Sequence, residues 1–200
     1  MAGEKMDKSK RTALGLTATL GAIGGACAAI PLVSTFAPSE RAKAAGAPVE
    51  VDIADMNPGD LKRVEWRGKP VWVLRRNKEM LDSLPGHNEE LLDPDSEKYW
   101  QLPTPAYAKN EARAIKPEYL VVVGLCSHLG CSPSEKFEPG AQPSLPADWP
   151  GGFLCPCHGS TFDLSGRVFL NKPANQNLDV PPHMYLSDTR ILIGADESKA

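Results

Sequence analysis

The sequence predicts an antiparallel β domain carried on one N-terminal apolar helix. Two observations lead to that reading. The 200 residues include 17 glycines and 19 prolines, a turn-rich composition that favours short strands over a helical bundle. From Thr12 to Ala37 the chain carries no charge, and a membrane-spanning helix needs about 20 such residues. Apolar residues make up 42% and charged residues 24%, so a packed core is feasible and wholesale disorder is excluded. A net charge of −3 gives no electrostatic reason for a nucleic acid partner.

The apolar segment is rich in Ala and Gly, among them Ala18, Gly21, Ala22, Gly24 and Gly25, which favours close helix–helix contact as well as contact with lipid. Pro31 marks a bend or the start of a looser end. Cys27 is alone there and reads as a small packing residue. Lys5, Lys8, Lys10 and Arg11 precede the segment, and positive flanks stay on the cytoplasmic side. The expected layout is a cytoplasmic tail over 1–11, an uncleaved anchor over 12–38, a flexible neck over 39–48 and a head over 49–196. In a bacterium the head would lie in the periplasm. Ala42-Lys43-Ala44 resembles a signal cleavage site, but the apolar run exceeds the usual span of about 7–15 residues.

Within the head, Val49–Ile53 alternates like a strand. Leu61–Trp66 and Val71–Arg75 flank Arg67-Gly68-Lys69-Pro70, a hairpin signal. Glu79–Leu84 reads as a helical turn, and Leu91–Lys116 as loop with a short helix. Tyr119–Leu125 is a β-branched run entering Cys126, and Phe153–Leu154 enters Cys155 in the same way. Arg167–Leu170 and Arg190–Ile193 complete the expected strands. His87, in Pro-Gly-His-Asn, reads as exposed. His183 reads as an ordinary surface or core histidine. The acidic run Glu89–Glu97 reads as a solvated face, and residues 132–152 as a long loop of unassigned role.

Four of five cysteines fall in two short boxes, Cys126-Ser127-His128-Leu129-Gly130-Cys131 and Cys155-Pro156-Cys157-His158-Gly159-Ser160. Each box follows a strand, so a sheet can hold them face to face. A structural zinc site takes four ligands, commonly as paired cysteines. Here Cys-x-His and Cys-x₂-His fit best and leave Cys131 and Cys157 over. Two spare thiols are awkward for zinc and natural for a disulfide in an oxidising compartment. A nucleophilic Cys–His pair would not explain four cysteines. A 2Fe–2S cluster accounts for the whole set.

The boxes resemble the Rieske signature, C-T-H-L-G-C and C-P-C-H-G-S, with Ser127 in place of threonine. The anchor, Trp66-Arg67-Gly68-Lys69-Pro70, Ile115-Lys116-Pro117-Glu118-Tyr119-Leu120, Gly166-Arg167 and Lys172-Pro173-Ala174 extend the resemblance to the Rieske subunits of bacterial cytochrome bc complexes. It implies an all-β Rieske-type antiparallel sandwich head. It implies that Cys126 and Cys155 bind one iron and His128 and His158 the other, and that Cys131 pairs with Cys157. Ser160 would hydrogen-bond a bridging sulfide. Leu129 and Gly130 would lie at the tip meeting the quinone pocket, and Pro173 in a loop covering the cluster. The implied partners are cytochrome b, a c-type cytochrome, quinol and membrane lipid, in a dimeric complex. His158 would take the quinol's hydrogen bond and proton, and the head would swing on its neck.

The ligand choice has an electrostatic consequence. Two thiolates and two neutral imidazoles leave an oxidised cluster neutral, where four thiolates would leave it at −2. Adding an electron is then easier, and Rieske centres lie at about −150 to +300 mV against roughly −400 mV for plant-type ferredoxins. Phe162 stands where many high-potential members carry tyrosine, which implies a lost hydrogen bond to the Cys126 sulfur and a lower potential. The first alternative function is the small Rieske subunit of a periplasmic oxidase, such as one acting on arsenite. The others are a Rieske ferredoxin feeding an oxygenase and a zinc-stabilised structural module.

Overall fold

A computed structural model describes residues 7–39 and 46–196. The chain divides into two compact units, one up to Ala44 and one from Ala45. Most of the expected neck, residues 40–45, lies outside the described residues.

The first unit is a single helix, α1, Lys8–Ser34. Its apolar run starts at Thr12, but the helix begins four residues earlier because Asp7 caps it and accepts from Ser9 N. Thr12, Thr17 and Thr19 turn their hydroxyls onto carbonyls four residues back. That satisfies polar side chains without water, as a membrane interior requires. Pro31 sits in the last turn, where it leaves the Cys27 carbonyl without its intrahelical N–H partner, and the helix ends three residues later at Ser34. The helix is long and apolar enough to cross a membrane. Cys27 is exposed on its surface, so the packing expected of it has no partner within this unit.

The second unit contains three three-stranded antiparallel sheets. The strands are β1 Val49–Asp52, β2 Leu61–Trp66, β3 Lys69–Arg75, β4 Tyr119–Val123, β5 Ser134–Lys136, β6 Gly152–Leu154, β7 Thr161–Phe162, β8 His183–Ser187 and β9 Arg190–Ile193. One sheet runs β1-β9-β8, the second β2-β3-β4 and the third β5-β6-β7. The expected hairpin is present, with β3 starting at Lys69 instead of Val71. Arg67 (φ 53°) and Gly68 (φ 70°) make its two-residue turn, and positive φ at both positions matches the twist of the flanking strands.

The middle sheet is covered on both faces, which makes the sandwich. Alternation along β3 and β4 sends Trp72, Leu74, Leu120 and Val122 into one core with Phe153, Phe162 and Leu164. It sends Val71, Val73, Tyr119, Val121 and Val123 into another with Val51, Ile191 and Ile193. Every residue of β4 is buried, so its sequence reads as a continuous apolar run. Beyond β4, Gly124 must lack a side chain: a Cβ there would lie 2.1 Å from the Trp72 ring. This close approach steers the chain into Cys126.

Three expectations need correction. Arg167–Leu170 is not a strand; it makes only isolated bridges, Phe162–Val168 and Leu91–Phe169. The amides go elsewhere: Arg167 N donates to Asp163 at 2.7 Å and Val168 N to the Asn177 side chain at 2.9 Å. His87 is buried, stacked on Phe169 and 3.4 Å from the Asp163 carboxylate. The run Glu89–Glu97 is not wholly solvated, because buried Asp93 accepts from Glu97 N and Lys98 N. The helical turn expected over Glu79–Leu84 is α2, Lys78–Asp82, capped by Asn77, with 3₁₀ turns after it. Within 132–152, β5 forms and Trp149 buries itself against Phe169.

Three buried arginines tie loops to this scaffold. Arg76 donates to Pro117, Ala112 and Leu164 carbonyls and to Ser165 Oγ. Arg113 donates to the Ser165, Gly166 and Leu178 carbonyls. Burial pulls both down to about 10, so both stay charged at neutral pH. Arg167 Nε meets Asp163 at 2.7 Å with both side chains buried. Desolvation alone would raise the Asp163 pKa, but the His87 hydrogen bond and the Arg167 charge hold it below the usual carboxylate value.

A depressed carboxylate pKa contributes stability in full above the unfolded-state value, about 3.9. That contribution is lost as pH falls through the lower folded-state value. Asp163→Asn leaves a buried guanidinium without its counter-charge and should lower head stability by about 3–5 kcal/mol at pH 7. Urea melts from pH 7 to 2 should show that loss, and a shallower acid-side decline in the variant than in the parent.

Candidate metal centre

The two boxes fold into loops of the same design. In the first, Gly130 N donates to Cys126 O at 2.9 Å and Cys126 N to Cys131 O at 2.8 Å. In the second, Gly159 N donates to Cys155 O at 3.0 Å and Cys155 N to Ser160 O at 2.7 Å. Gly130 (φ 78°) and Gly159 (φ 74°) occupy equivalent left-handed positions, where a side chain would be strained. The first loop springs from the end of β4. The second joins β6 to β7. Cys131 and Cys157 are disulfide-bonded, with Cα atoms 6.6 Å apart, so the loops are tied covalently.

The thiols and imidazoles are segregated. Cys126 and Cys155 are free cysteines, each at most 2% exposed and part of the main core. Burial pushes the Cys126 thiol up; contact with the Cys155 sulfur adds to this, while hydrogen bonds from His128 N and Ser160 oppose it. His128 and His158 lie with ring centroids 4.8 Å apart and planes nearly perpendicular. His158 is exposed and His128 half-buried.

The donor set fits a metal group. His128 Nδ1 is buried without a hydrogen-bond partner, a situation that costs about 1–3 kcal/mol unless something occupies it. Two adjacent buried thiols add two soft ligands with no water to solvate their ionised forms. The sulfurs of Cys131, Cys155 and Cys157 also lie within 4.8 Å of one another, but two of them are consumed by the disulfide. The residues that could hold a metal group are therefore Cys126, His128, Cys155 and His158.

A third segment is fastened to both loops. Ser127 Oγ donates to Gln176 O at 2.6 Å, and Ala174 N donates to Ser160 Oγ at 3.0 Å. Pro173 immediately precedes the Ala174 attachment and is exposed. Ser160 is fully buried. Phe162 is fully buried in the same core as both free thiols. At the outer end, Leu129 is 69% exposed. His183 stands apart: it lies in β8, is buried, and its Nδ1 donates to Pro181 O at 2.9 Å. Burial lowers its pKa, so it is neutral at pH 7. The tethers of Ser127 and Ser160 were not legible in sequence, because each serine hydroxyl meets a backbone atom, 49 and 14 residues away respectively.

Over residues 48–182 the chain matches the Rieske 2Fe-2S domain, and it belongs to that family. It is 52% identical to the "Ubiquinol-cytochrome c reductase iron-sulfur subunit" of Allochromatium vinosum, across 100% of this chain and 95% of that one. It is 38% identical to the protein of that name from Bradyrhizobium diazoefficiens, across 89% of each. Among solved structures it is similar to a chain of "Hyperthermophilic respiratory Complex III", with 26% identity, 90% of this chain and 98% of that one covered, and a TM-score of 0.47. The group that the four donors fit is thus one Rieske-type 2Fe–2S cluster.

Removing the covalent tie tests its role. Cys131→Ser should lower the head's stability by about 2–5 kcal/mol, read as an earlier urea midpoint. Iron should also be lost faster to a chelator than from the parent. Native alkylation should label neither Cys131 nor Cys157 in the parent protein.

Proposed function

We propose that this chain is the Rieske subunit of a respiratory cytochrome bc complex, a quinol–cytochrome c reductase. The observation that carries the chemistry is the asymmetry of the site. Its thiols are sealed in the core, while His158 and Leu129 face outward. Its relatives by name are iron–sulfur subunits of ubiquinol–cytochrome c reductase, matched along the full chain.

In this reading Cys126 and Cys155 hold one iron, and His128 and His158 the other. The cluster these residues would hold would supply a one-electron acceptor for quinol oxidation and a donor for a c-type cytochrome, contributing to proton-motive force. The outer imidazole nitrogen of His158 accepts a hydrogen bond from the quinol hydroxyl and then takes its proton. Leu129 and Gly130 present an uncharged tip to the quinone pocket. Ser160, placed beside the Cys126 sulfur, would donate a hydrogen bond to a bridging sulfide and so favour extra negative charge on the group. The segment around Pro173 shields the site from water.

The layout we propose is a cytoplasmic tail over 1–11, an anchor over 12–38, a neck over 39–48 and a head over 49–196. Lys8, Lys10 and Arg11 before the apolar run support a cytoplasmic N-terminus and a head across the bacterial inner membrane. The partners are cytochrome b, a c-type cytochrome, quinol and lipid, in a dimeric complex.

Electron paramagnetic resonance of the reduced membrane protein, with a potential titration and a quinol:cytochrome c assay, tests this reading. His128→Ala and His158→Ala should each abolish the Rieske spectrum, while His183→Ala should keep it. A normal spectrum in either ligand variant would sink the assignment.

Phe162→Tyr tests the tuning. A restored hydroxyl donating to the Cys126 sulfur is worth about 0.5–1.5 kcal/mol, and about 1.4 kcal/mol corresponds to 59 mV for one electron. Only the difference between oxidation states counts, so the potential should rise by some tens of millivolts, on the order of half that equivalence. Protein-film voltammetry showing no rise would place the hydroxyl away from the sulfur.

A further inference from the structure

The head holds a cavity of about 320 Å³ that none of the four metal-binding residues lines, at the small end of the range for ligand sites. Its chemistry has two ends. At the mouth stand the exposed side chains of Glu89, Glu90 and Asp148, with Lys172 as the one cation in the lining. None of these four side chains makes an ion pair or a hydrogen bond among the described residues. Elsewhere on the head, surface carboxylates are matched: Asp55 by Lys62, Glu118 by Arg75, Asp188 by Lys116 and Glu50 by Arg190.

At the inner end lies Thr161, the first residue of β7, only 3% exposed. It lines the cavity, and its hydroxyl has no hydrogen-bond partner among the described residues. A water displaced from that hydroxyl must be replaced by a group that repeats its hydrogen bond, or affinity is lost. The walls between the two ends are preformed. Leu170 N donates to Glu90 O at 2.8 Å, and Phe169 N to Thr161 O at 3.2 Å. Trp149 Nε1 donates to Lys136 O at 2.8 Å, and its ring lies 5.5 Å from that of Phe169. The Leu170 side chain, 40% exposed, offers apolar surface on the way in. Little remains to be ordered when a ligand enters.

We propose that this cavity binds a small amino alcohol, with its ammonium among Glu89, Glu90 and Asp148, its hydroxyl on Thr161 and its alkyl spacer along Leu170. Three carboxylates to one ammonium select a cation and repel carboxylic acids and phosphate esters. The neutral hydroxyl at the inner end rejects a diamine, whose second charge would be desolvated there without a counter-charge. A bare divalent cation would leave Thr161 and the apolar wall unused. The site is independent of the electron-transfer reading, because it uses none of Cys126, His128, Cys155 and His158.

The test is titration calorimetry on the full chain in detergent, with its cluster and at low ionic strength. The probes are ethanolamine, aminobutanol, butylamine, butanediol, calcium ion and lysine capped at both ends. At least one amino alcohol should bind saturably, about fivefold tighter than butylamine, the worth of one hydrogen bond. Butanediol should not bind. Thr161→Val keeps the shape of the side chain and should erase the preference over butylamine. The surface double variant Glu90→Gln/Asp148→Asn should weaken amino alcohol binding by about tenfold. An unchanged cluster spectrum shows that each variant is folded, and the double variant stands as a test should Thr161→Val fail to fold. Equal affinity for butylamine and the amino alcohols would overturn the assignment, as would undiminished binding to the double variant. Calcium binding without amino alcohol binding would reduce the mouth to an acidic cation site. Tighter binding of the capped lysine would make the occupant a side chain of another protein, and no heat with any probe would remove the site.

Discussion

Everything in the head depends on holding two loops, each rooted in a different sheet, at one fixed separation. The loops are joined covalently where Cys131 and Cys157 are bonded, and Cys126 meets Cys155 and His128 meets His158 across them. Hydrogen bonds within each loop set its own curvature, but none of them fixes the distance between Cys126 and Cys155. That distance is set by the disulfide at the outer end and by the shared core at the inner end, where both thiols pack with Phe153 and Phe162. A group that bridges the loops can then form without dragging either through solvent. The segment bound to Ser127 and Ser160 adds a third side to the same frame.

Behind the second loop the scaffold carries an unusual concentration of buried charge. Asp163 lies between His87 and Arg167, and Arg76 and Arg113 hold the adjoining turn through its carbonyls. Such groups add little net stability relative to an apolar core of the same shape. What they supply is direction. Each guanidinium donates to carbonyl, carboxylate or hydroxyl oxygens at fixed angles, so the chain after β7 must take one course. That course ends where Ala174 N reaches Ser160. Burial of charge at the base and geometry at the metal centre are thus linked through about ten residues of chain.

Much of this was legible in the sequence, for identifiable reasons. The β-branched run at Tyr119–Val123 and the Arg67-Gly68 turn are local signals, and the structure follows them. The two Cys/His boxes are equally local, and their resemblance carried the disulfide. What failed was long-range. Arg167–Leu170 has strand-like residues, but Asp163 and Asn177 claim the amides that a strand would need. His87 sits in a polar tetrapeptide, yet a buried carboxylate 76 residues away draws it inward. Leu91–Lys116 read as loop with a short helix, and a 3₁₀ turn forms at Ala106–Ala108; the placing of Trp100 against Gly130 depends on Asp179, which nothing near residue 100 announces.

The same division explains how one small domain can protect a redox group and still expose it. The protecting side is built from sequence-distant contacts: core packing, a disulfide and tethers to backbone atoms. The exposed side is built from three consecutive residues, His128 to Gly130, and from His158 and its neighbours. A rigid protecting side allows the exposed side to be small, because the imidazoles need not also hold the fold together. Exposure of Leu129 and His158 is tolerable only because the strain of positioning them falls on Gly130 and Gly159, which take positive φ without cost. Replacing either glycine would transfer that strain to the ligand beside it, so the smallest residues in the boxes constrain the site as firmly as the ligands do.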